Sequence, residues 1–460
     1  MQPVVTADEM TACDAAALKT ISHDVLVRRA GMAVGFAVGR LLQGVSGRRI
    51  TVLAGPGSNG ADGRIAAAML TRRGARVNVV GPFPESHDLE GSELIVDAAF
   101  GTGLSRDYVA PKIEQGVRVV AIDVVSGLNA TTGECLGDPC IADLTVTMAA
   151  YKSGLLLGRG PEHSGTVSVA DIGIPIGASS MALLGHEDLA SVPRRTRDAN
   201  KWSAAVGVVA GSPGMEGAAS LCSLGALRAG SGMVRLVTRR SDTQSPPWPP
   251  DVVRREVEPE DFVATVLDEA RRVKALVVGP GLGIDEASQR AIREIISKRT
   301  CPVVLDADGI TAVKDLSTLR QLVDAAASPV IMTPHDGELA RLLGRALGSD
   351  RLKDVREVAD QSGVTVLSKG ATTLVVSPAA HQQQVLMVNA GTPALATAGT
   401  GDVLSGVIAA MLAQGVVLPL AGALGAHIHG CAGARATSTL LASDLPNLVG
   451  EVIEEAHRER

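Results

Sequence analysis

Two features of the sequence predict an α/β protein built from two domains. The chain has 460 residues, which exceeds the size of one ordinary hydrophobic core, and 46% of them are hydrophobic. Short apolar runs that end in glycine and polar residues recur along both halves, as strands do in a parallel sheet with crossover helices. We therefore predict one domain over residues 1–185 and a second over residues 196–460, joined within the polar segment 176–200.

Composition and charge argue against several classes of protein. A net charge of −6 and an aromatic content of 2% disfavour nucleic acid as a partner, because phosphate attracts basic surfaces and bases stack on aromatic rings. The uncharged run between Asp402 and His427 is long enough to span a membrane, but Gly415 and Pro419 divide it, so we expect two short buried helices and no membrane segment. Six scattered cysteines and an amino terminus without signal-peptide character lead us to expect a cytoplasmic protein with reduced thiols.

The first half of the chain alternates predicted strands and helices. Residues 7–44 carry a helical pattern, and the glycine-rich segment GPGSNGADG separates the first strand from the next helix. This segment contains G-x-G-x-x-G, but the following strand lacks the acidic residue that binds a ribose, so it is a weak dinucleotide motif. The predicted strands are Arg49–Ala54, Arg76–Val80, Glu93–Ala98, Arg118–Ile122 and Val167–Ile174, and the helix after the loop is Arg64–Arg73.

Polar side chains follow several of these strands. Because the carboxyl ends of parallel strands share one edge of the sheet, we expect Asn59, Asp97 and Ser126 to meet there, with Asp123 beside them. Their oxygen atoms suit an alkali cation rather than zinc. For Asn59 and Asp62 an ordinary role in turn formation remains the alternative.

The second half repeats this organisation. Its predicted strands are Ala204–Ala210, Gly230–Val237, Ala275–Val278, Val303–Leu305, Val330–Met332 and Val364–Leu367, and the proline-rich segment Thr243–Pro250 is predicted to be a surface loop. Near its end, the segment NAGTPALATAGTGDVLSG places a glycine turn before an apolar helix, which predicts an anion site. Asp402 at this helix start either caps the helix or acts as a base beside a phosphate.

Four motifs of the first half, GPGSNGADG, VDAAFGTGL, IDVVSGLNATTG and ADLTVTMAAYKSGLLLG, resemble the NAD(P)H-hydrate epimerase domain. Ser58 and Ala61 depart from the usual N-N-G-G-D-G of that family, and Arg28 replaces an acidic residue. The resemblance implies a K⁺ ion bound by Asn59, Asp97 and Ser126. It also implies a substrate site lined by Ser58, Asn59, Gly60, Ala61, Asp62, Gly101, Thr102, Gly103, Leu104, Ser105, Arg106, Asp107 and Asp123.

The motifs GPGLG, TPHDGELARLL, KGATT and NAGTPALATAGTGDVLSG of the second half resemble the ADP-dependent NAD(P)H-hydrate dehydratase domain, a relative of ribokinase-like enzymes. The two resemblances together imply two three-layer α/β/α domains, one Rossmann-like and one ribokinase-like. They imply hydrate binding by Ala218, Gly281, His335 and Asp402. Nucleotide binding is implied for Lys369, Gly370, Ala371, Thr372, Thr373 and Gly401.

The implied function is repair of hydrated NADH and NADPH. The first domain would interconvert the R and S forms at C6, and the second would dehydrate the S form with ADP, with Mg²⁺ as companion of the nucleotide. We expect Asp123 and Asp402 to be catalytic and the protein to be a homo-oligomer. The alternative is a ribokinase-like small-molecule kinase with a non-catalytic amino-terminal binding module.

Several of these residues keep a second interpretation. Asp123 is either the acid of the epimerase or a strand-end cap that holds the Ser126 turn. His335 either orients the substrate or is a buried histidine bonded to a carbonyl. Lys369 either neutralises phosphate charge or is a solvated lysine at a strand end.

Overall fold

The computed structural model describes residues 1–240 and 248–459. They form two compact units, one of residues 2–181 with 349–351, and one of Met1 with residues 182–348 and 352–460. The surface loop predicted at Thr243–Pro250 lies for the most part outside the described residues.

The amino-terminal unit is built on six parallel strands in the order β10-β8-β6-β4-β2-β3. Short parallel pairs, β1 with β9 and β5 with β7, lie apart from this sheet. The strands are β1 (Gln2–Val5), β2 (Arg49–Ala54), β3 (Arg76–Val80), β4 (Leu94–Ala98), β5 (Tyr108–Val109), β6 (Arg118–Ile122), β7 (Gly137–Asp138), β8 (Leu144–Met148), β9 (Tyr151–Lys152) and β10 (Thr166–Ala170).

Apolar side chains cover both faces of this sheet. In β2, Ile50 and Val52 belong to the core beneath the long helices, whereas Leu53 packs with Tyr108 on the opposite face. Strands buried on both faces are mostly hydrophobic, and in β2 the one polar residue among the buried positions is Thr51. The helices are α1 (Ala7–Ala17), α2 (His23–Leu41), α3 (Ser58–Arg72), α4 (Ser86–Leu89) and α5 (Gly160–His163), with a 3₁₀ turn at Ser153–Leu155.

Helix α3 begins six residues before the predicted start at Arg64, within the segment that was expected to be a loop. Gly60 lies on the first turn of α3, where a Cβ atom would come within 1.9 Å of the Gly55 carbonyl oxygen. The missing side chain therefore lets the helix pack directly on the end of β2. Gly60 therefore allows the backbone of α3 to approach that of β2 closely. The interpretation of residues 58–63 as a loop was wrong, because they belong to α3.

The carboxy-terminal unit has a mixed sheet in the order β14-β13-β12-β15-β16-β17-β18-β19-β20. Pairing is parallel from β14 to β18, and β19 and β20 are antiparallel, a hairpin edge that the sequence patterns did not predict. The strands are β11 (Met181–Leu183), β12 (Ala205–Val209), β13 (Met233–Arg239), β14 (Val252–Val257), β15 (Ala275–Val278), β16 (Val303–Leu305), β17 (Val330–Met332), β18 (Thr365–Ser368), β19 (Thr373–Val376) and β20 (Val385–Val388).

The helices of this unit include two that are almost entirely apolar. These are α13 (Thr400–Ala413) and α14 (Leu420–Arg435), the two short buried helices predicted from the uncharged run. Across the described residues, no helix is both long and apolar enough to cross a membrane. The other helices are α6 (Glu216–Arg228), α7 (Phe262–Ala270), α8 (Glu286–Ser297), α9 (Asp308–Ala312), α10 (Leu316–Asp324), α11 (Asp336–Leu343), α12 (Arg351–Ser362) and α15 (Leu445–Arg458), with 3₁₀ turns at His186–Ser191, Pro259–Asp261, Ala379–His381 and Pro393–Leu395.

Substitution of Gly60 by alanine should destabilise the amino-terminal unit. The added methyl group overlaps the Gly55 carbonyl oxygen, so we expect Gly60→Ala to lower the free energy of unfolding by about 3 kcal/mol. Gly57→Ala is the matched control, because no atom lies within 4 Å of that Cβ position. Urea unfolding of both variants tests this, and equal midpoints would show that the close approach carries no energetic weight.

Candidate active sites

A cavity of about 580 Å³ opens at the carboxyl edge of the amino-terminal sheet. The ends of β2, β4 and β6 meet there with helices α1 and α2. Ten of the residues predicted for the substrate site line the cavity: Ser58, Asn59, Asp62, Gly101, Thr102, Gly103, Leu104, Ser105, Arg106 and Asp123. Gly60, Ala61 and Asp107 are outside its lining.

Asp123 is held at this cavity by a buried lysine. Its Oδ1 accepts hydrogen bonds from Lys152 Nζ, from Thr147 Oγ1 at 3.2 Å and from the Met148 amide at 3.1 Å. The Lys152 side chain is 1% exposed. Asp123 has φ of 66°, a left-handed conformation that non-glycine residues adopt rarely. Since none of these donors belongs to the Ser126 turn, the interpretation of Asp123 as its cap is wrong.

Sequence reasoning missed the partner of Asp123. Lys152 is the one charged residue between Leu144 and Gly158, and a lysine in so apolar a run was the available signal. A buried ammonium group requires compensating oxygen atoms, so this position already indicated an internal partner.

Two further carboxyl groups, Asp62 and Asp14, line the same cavity. Asp62 is 8% exposed. Burial raises its pKa to about 8, and the nearby charge of Asp123 contributes. Burial likewise raises the pKa of Asp14, an effect that Lys152 opposes and Asp123 reinforces. Asp14 lies on α1 and was not among the predicted site residues.

The residues predicted to hold K⁺ come together beneath the cavity. Ser126 donates its hydroxyl to Asp97 Oδ1 at 2.6 Å and its amide to Oδ2 at 2.8 Å. The Asn59 side-chain amide donates to the Phe100 carbonyl at 2.9 Å, and Ser126 Oγ lies 3.0 Å from the same oxygen. Burial raises the pKa of Asp97, although several hydrogen bonds oppose it. Carboxylate, hydroxyl, amide and carbonyl oxygens in one place suit a hard cation.

In the carboxy-terminal unit, Asp402 is the third residue of α13 and does not cap it. The residue at the cap position of α13 is Gly399, with φ of 91°, and no side chain makes a capping hydrogen bond there. Burial and then the neighbouring charge of Asp306 raise the pKa of Asp402 to about 7, while Lys369 lowers it. His429 fixes the start of the helix, with Nε2 2.9 Å from the Thr400 carbonyl oxygen. The capping interpretation of Asp402 is therefore wrong.

Lys369 and Asp306 form an ion pair next to Asp402. Lys369 Nζ is 3.0 Å from Asp306 Oδ1, and Ser405 Oγ donates to Oδ2 at 2.7 Å. Burial lowers the pKa of Lys369, but Asp306 and Glu338 outweigh it and leave the pKa raised. Lys369 is thus not a simply solvated lysine. Asp306 was missed as a site residue, although its place directly after a predicted strand was the signal.

The other residues predicted for this site lie on neighbouring elements. A Cβ atom on Gly281 would lie 3.2 Å from Ala218 Cβ, and one on Gly401 would lie 3.7 Å from Lys369 Nζ, so each pair is adjacent. His335 is 62% exposed and accepts from the Gly337 amide at 3.0 Å as the cap of α11. It is therefore not a buried histidine. Gly370, Ala371, Thr372 and Thr373 follow Lys369 into the turn and start of the β18–β19 hairpin.

Comparison with known proteins covers both units. Residues 206–455 match the family described as NAD(P)H-hydrate dehydratase, and residues 23–90 and 82–154 match the family described as YjeF-related protein N-terminus. The bifunctional NAD(P)H-hydrate repair enzyme Nnr of Moorella thermoacetica is 33% identical over 99% of this chain and 97% of its own length. The chain belongs to the family of bifunctional NAD(P)H-hydrate repair enzymes.

Further relatives agree with this membership. The enzyme of the same name from Mycobacterium tuberculosis H37Rv is 34% identical over 90% of both chains. A ribokinase-like superfamily protein from Enterococcus faecalis shares the fold of the second unit, with a TM-score of 0.51, 20% identity, and coverage of 61% of this chain and 98% of that one. The predicted α/β fold is confirmed, and the protein is a bifunctional enzyme with an epimerase and a dehydratase domain.

Replacement of Lys152 should destabilise the epimerase domain. Lys152→Met leaves Asp123 without its counter-charge at a mostly buried position, so we expect the free energy of unfolding to fall by about 3–5 kcal/mol. Lys19→Met, at an exposed lysine, should change it by less than about 0.5 kcal/mol. Urea unfolding measures both, and a Lys152→Met protein as stable as the control would contradict the assignment of a stabilising ion pair.

Proposed function

We propose that this enzyme restores hydrated NADH and NADPH through two reactions at C6 of the hydrated nicotinamide ring. The amino-terminal domain interconverts the R and S forms, and the carboxy-terminal domain dehydrates the S form with ADP, leaving AMP and phosphate. The observation that carries the proposal is the placement of Asp123 and Asp402, each beside charged groups that follow the carboxyl ends of parallel strands. A cytoplasmic homo-oligomer also remains our expectation, and size-exclusion chromatography with light scattering tests the assembly.

The epimerase reaction needs a proton at the C6 hydroxyl and a place for water. The lone pair of the ring nitrogen expels the protonated hydroxyl as water and leaves an iminium ion, to which water adds again from either face. Asp123 is proposed to face this hydroxyl, because the contacts from Lys152, Thr147 and Met148 all fall on Oδ1 and leave Oδ2 for the substrate. The remote parts of the dinucleotide are proposed to lie along Gly101–Asp107.

The dehydratase reaction turns the hydroxyl into a better leaving group. Asp402 removes the proton of the C6 hydroxyl as its oxygen attacks the terminal phosphoryl group of ADP and the bond from that phosphorus to AMP breaks. Phosphate then departs as the ring-nitrogen lone pair forms a C6=N bond. Loss of a proton from C5 to water then forms the C5=C6 double bond and returns the electron pair to nitrogen. The start of α13 at Thr400 and Gly401 offers the positive end of a helix dipole to the phosphoryl group. Lys369, held by Asp306 and adjacent to Gly401, adds a fixed positive charge for the nucleotide.

Two cations accompany these reactions in our proposal. K⁺ suits the set of Asn59, Asp97 and Ser126, because the buried Asp97 carboxylate has no Lys, Arg or His partner in the described residues. The ion would supply positive charge that holds the substrate loop. Mg²⁺ is the expected companion of ADP and would neutralise part of the charge of its phosphates. We assign it no protein ligand, since Lys369 and Ser405 already occupy both oxygens of Asp306.

Asp402 should control the dehydratase alone. Asp402→Asn removes the base, so we expect the dehydratase rate to fall by about 10²–10⁴-fold while epimerisation continues. A base acts when ionised, so the wild-type rate should rise with pH through about 7. Recovery of reduced-nicotinamide absorbance from the S hydrate and ADP measures this. Wild-type rates in Asp402→Asn would refute the role, and release of a stable phosphate ester would favour a kinase.

The epimerase should depend on K⁺ through Asp97. Replacing K⁺ by Na⁺ should slow epimerisation, and Asp97→Asn should raise the K⁺ concentration needed for half-maximal rate by about 10–100-fold, because a charged ligand is lost. The dehydratase of the same preparation, assayed on the S hydrate, is the internal control for the variant. An epimerase rate that is equal in both salts would argue against a K⁺ site.

A further inference from the structure

Among the three carboxyl groups that line the epimerase cavity, that of Asp62 belongs to the most buried residue, whereas Asp14 and Asp123 are more exposed. Asp62 is 8% exposed and lines the cavity, yet no donor in the described part of the chain reaches its carboxyl group. Asp123, by contrast, accepts three hydrogen bonds on one oxygen, and one of them comes from the Lys152 ammonium. A nearly buried carboxyl group without a donor pays a large desolvation cost when ionised, so it is most stable with its proton.

We propose that Asp62 is the proton donor of the epimerase and that Asp123, fixed by Lys152, is the carboxylate that orients the C6 hydroxyl. This assignment rests on the proposed function and divides between two residues the work that a single carboxylic acid could do. Two carboxyl groups in contrasting environments are a common way to obtain one acid and one anion at the same pH.

The proposed step balances in atoms and charge. The Asp62 carboxyl group gives its proton to the C6 hydroxyl oxygen, the C6–O bond breaks, and the ring-nitrogen lone pair forms the C6=N bond as water departs. Asp62 is then a carboxylate beside a cationic ring. When water adds to the other face, its oxygen forms the new C6–O bond, the C6=N electron pair returns to nitrogen, and the released proton restores Asp62 through the cavity water.

The charges around Asp62 favour its protonated form in the resting enzyme. Burial raises its pKa to about 8, and the Asp123 carboxylate adds to the effect. An acid acts while protonated, so epimerisation should be full below this pH and decline as pH rises through it. The other charged or titratable groups on the cavity wall are Asp14 from α1, His23 from α2, Lys152 from β9 and Arg106 from the segment after β4.

The test uses the full-length enzyme and racemic NADPH hydrate with excess ADP, so that slow recovery of reduced nicotinamide reports epimerisation. Asp62→Asn should lower the rate of this slow phase by about 10²-fold or more. The rate of the fast phase, in which the dehydratase consumes the S hydrate, should be unchanged. Asp123→Asn removes a neighbouring negative charge, so the alkaline decline of its residual activity should move to lower pH. Asp24→Asn is the matched control, because its carboxylate is 94% exposed on α2.

Each result decides between interpretations. Loss of the slow phase in Asp62→Asn, together with a wild-type decline near pH 8 that shifts in Asp123→Asn, supports the proposal. A wild-type rate of epimerisation in Asp62→Asn overturns the proposal. So does an alkaline decline of the epimerisation rate that disappears in Asp14→Asn but persists in Asp62→Asn. A slow phase in the wild type no faster than the uncatalysed rate would instead refute the epimerase function itself.

Discussion

Buried carboxylates at the carboxyl ends of parallel strands are the constraint on which both sites depend. An ionised group removed from water must find compensation, and here each finds it on a segment far along the chain. Asp97 is bonded by Ser126, 29 residues later, Asp123 by Lys152, also 29 residues later, and Asp306 by Lys369, 63 residues later. Each pair therefore forms only when two distant segments of the chain have come together, so folding brings these charged groups into place.

The two domains solve one chemical problem in different ways. Hydroxide leaves carbon poorly, so an epimerase must protonate it, whereas a dehydratase with a phosphoryl donor can convert it into phosphate. The surroundings of Asp62 and Asp402 suit these tasks. Burial brings the pKa of Asp62 to about 8 and that of Asp402 to about 7, values that suit the acid and the base that we propose for the two sites.

The sequence predicted those parts of the molecule that depend on local pattern. Strands such as Arg49–Ala54 and Arg118–Ile122 have the predicted bounds, because their apolar runs end in clear polar signals. The partners Lys152 and Asp306 were missed because local patterns mark these positions as unusual but do not show which distant side chains they meet in the fold. The start of α3 was missed for a similar reason. Gly60 resembles a loop glycine until the carbonyl it packs against is known.

Small changes in the charges near these carboxyl groups can shift their pKa values, since one pKa unit corresponds to about 1.4 kcal/mol. Asp306 illustrates this, because it opposes ionisation of Asp402 directly while it holds Lys369, which favours that ionisation. Neutralising Asp306 would remove a repulsive charge and also release a favourable one. If Asp402 is the base that we propose, the pH range of the dehydratase depends on Asp306 and Lys369 as well as on Asp402. A change of charge at Asp306 or Lys369 alters the proton affinity of Asp402, the residue that we propose as the base.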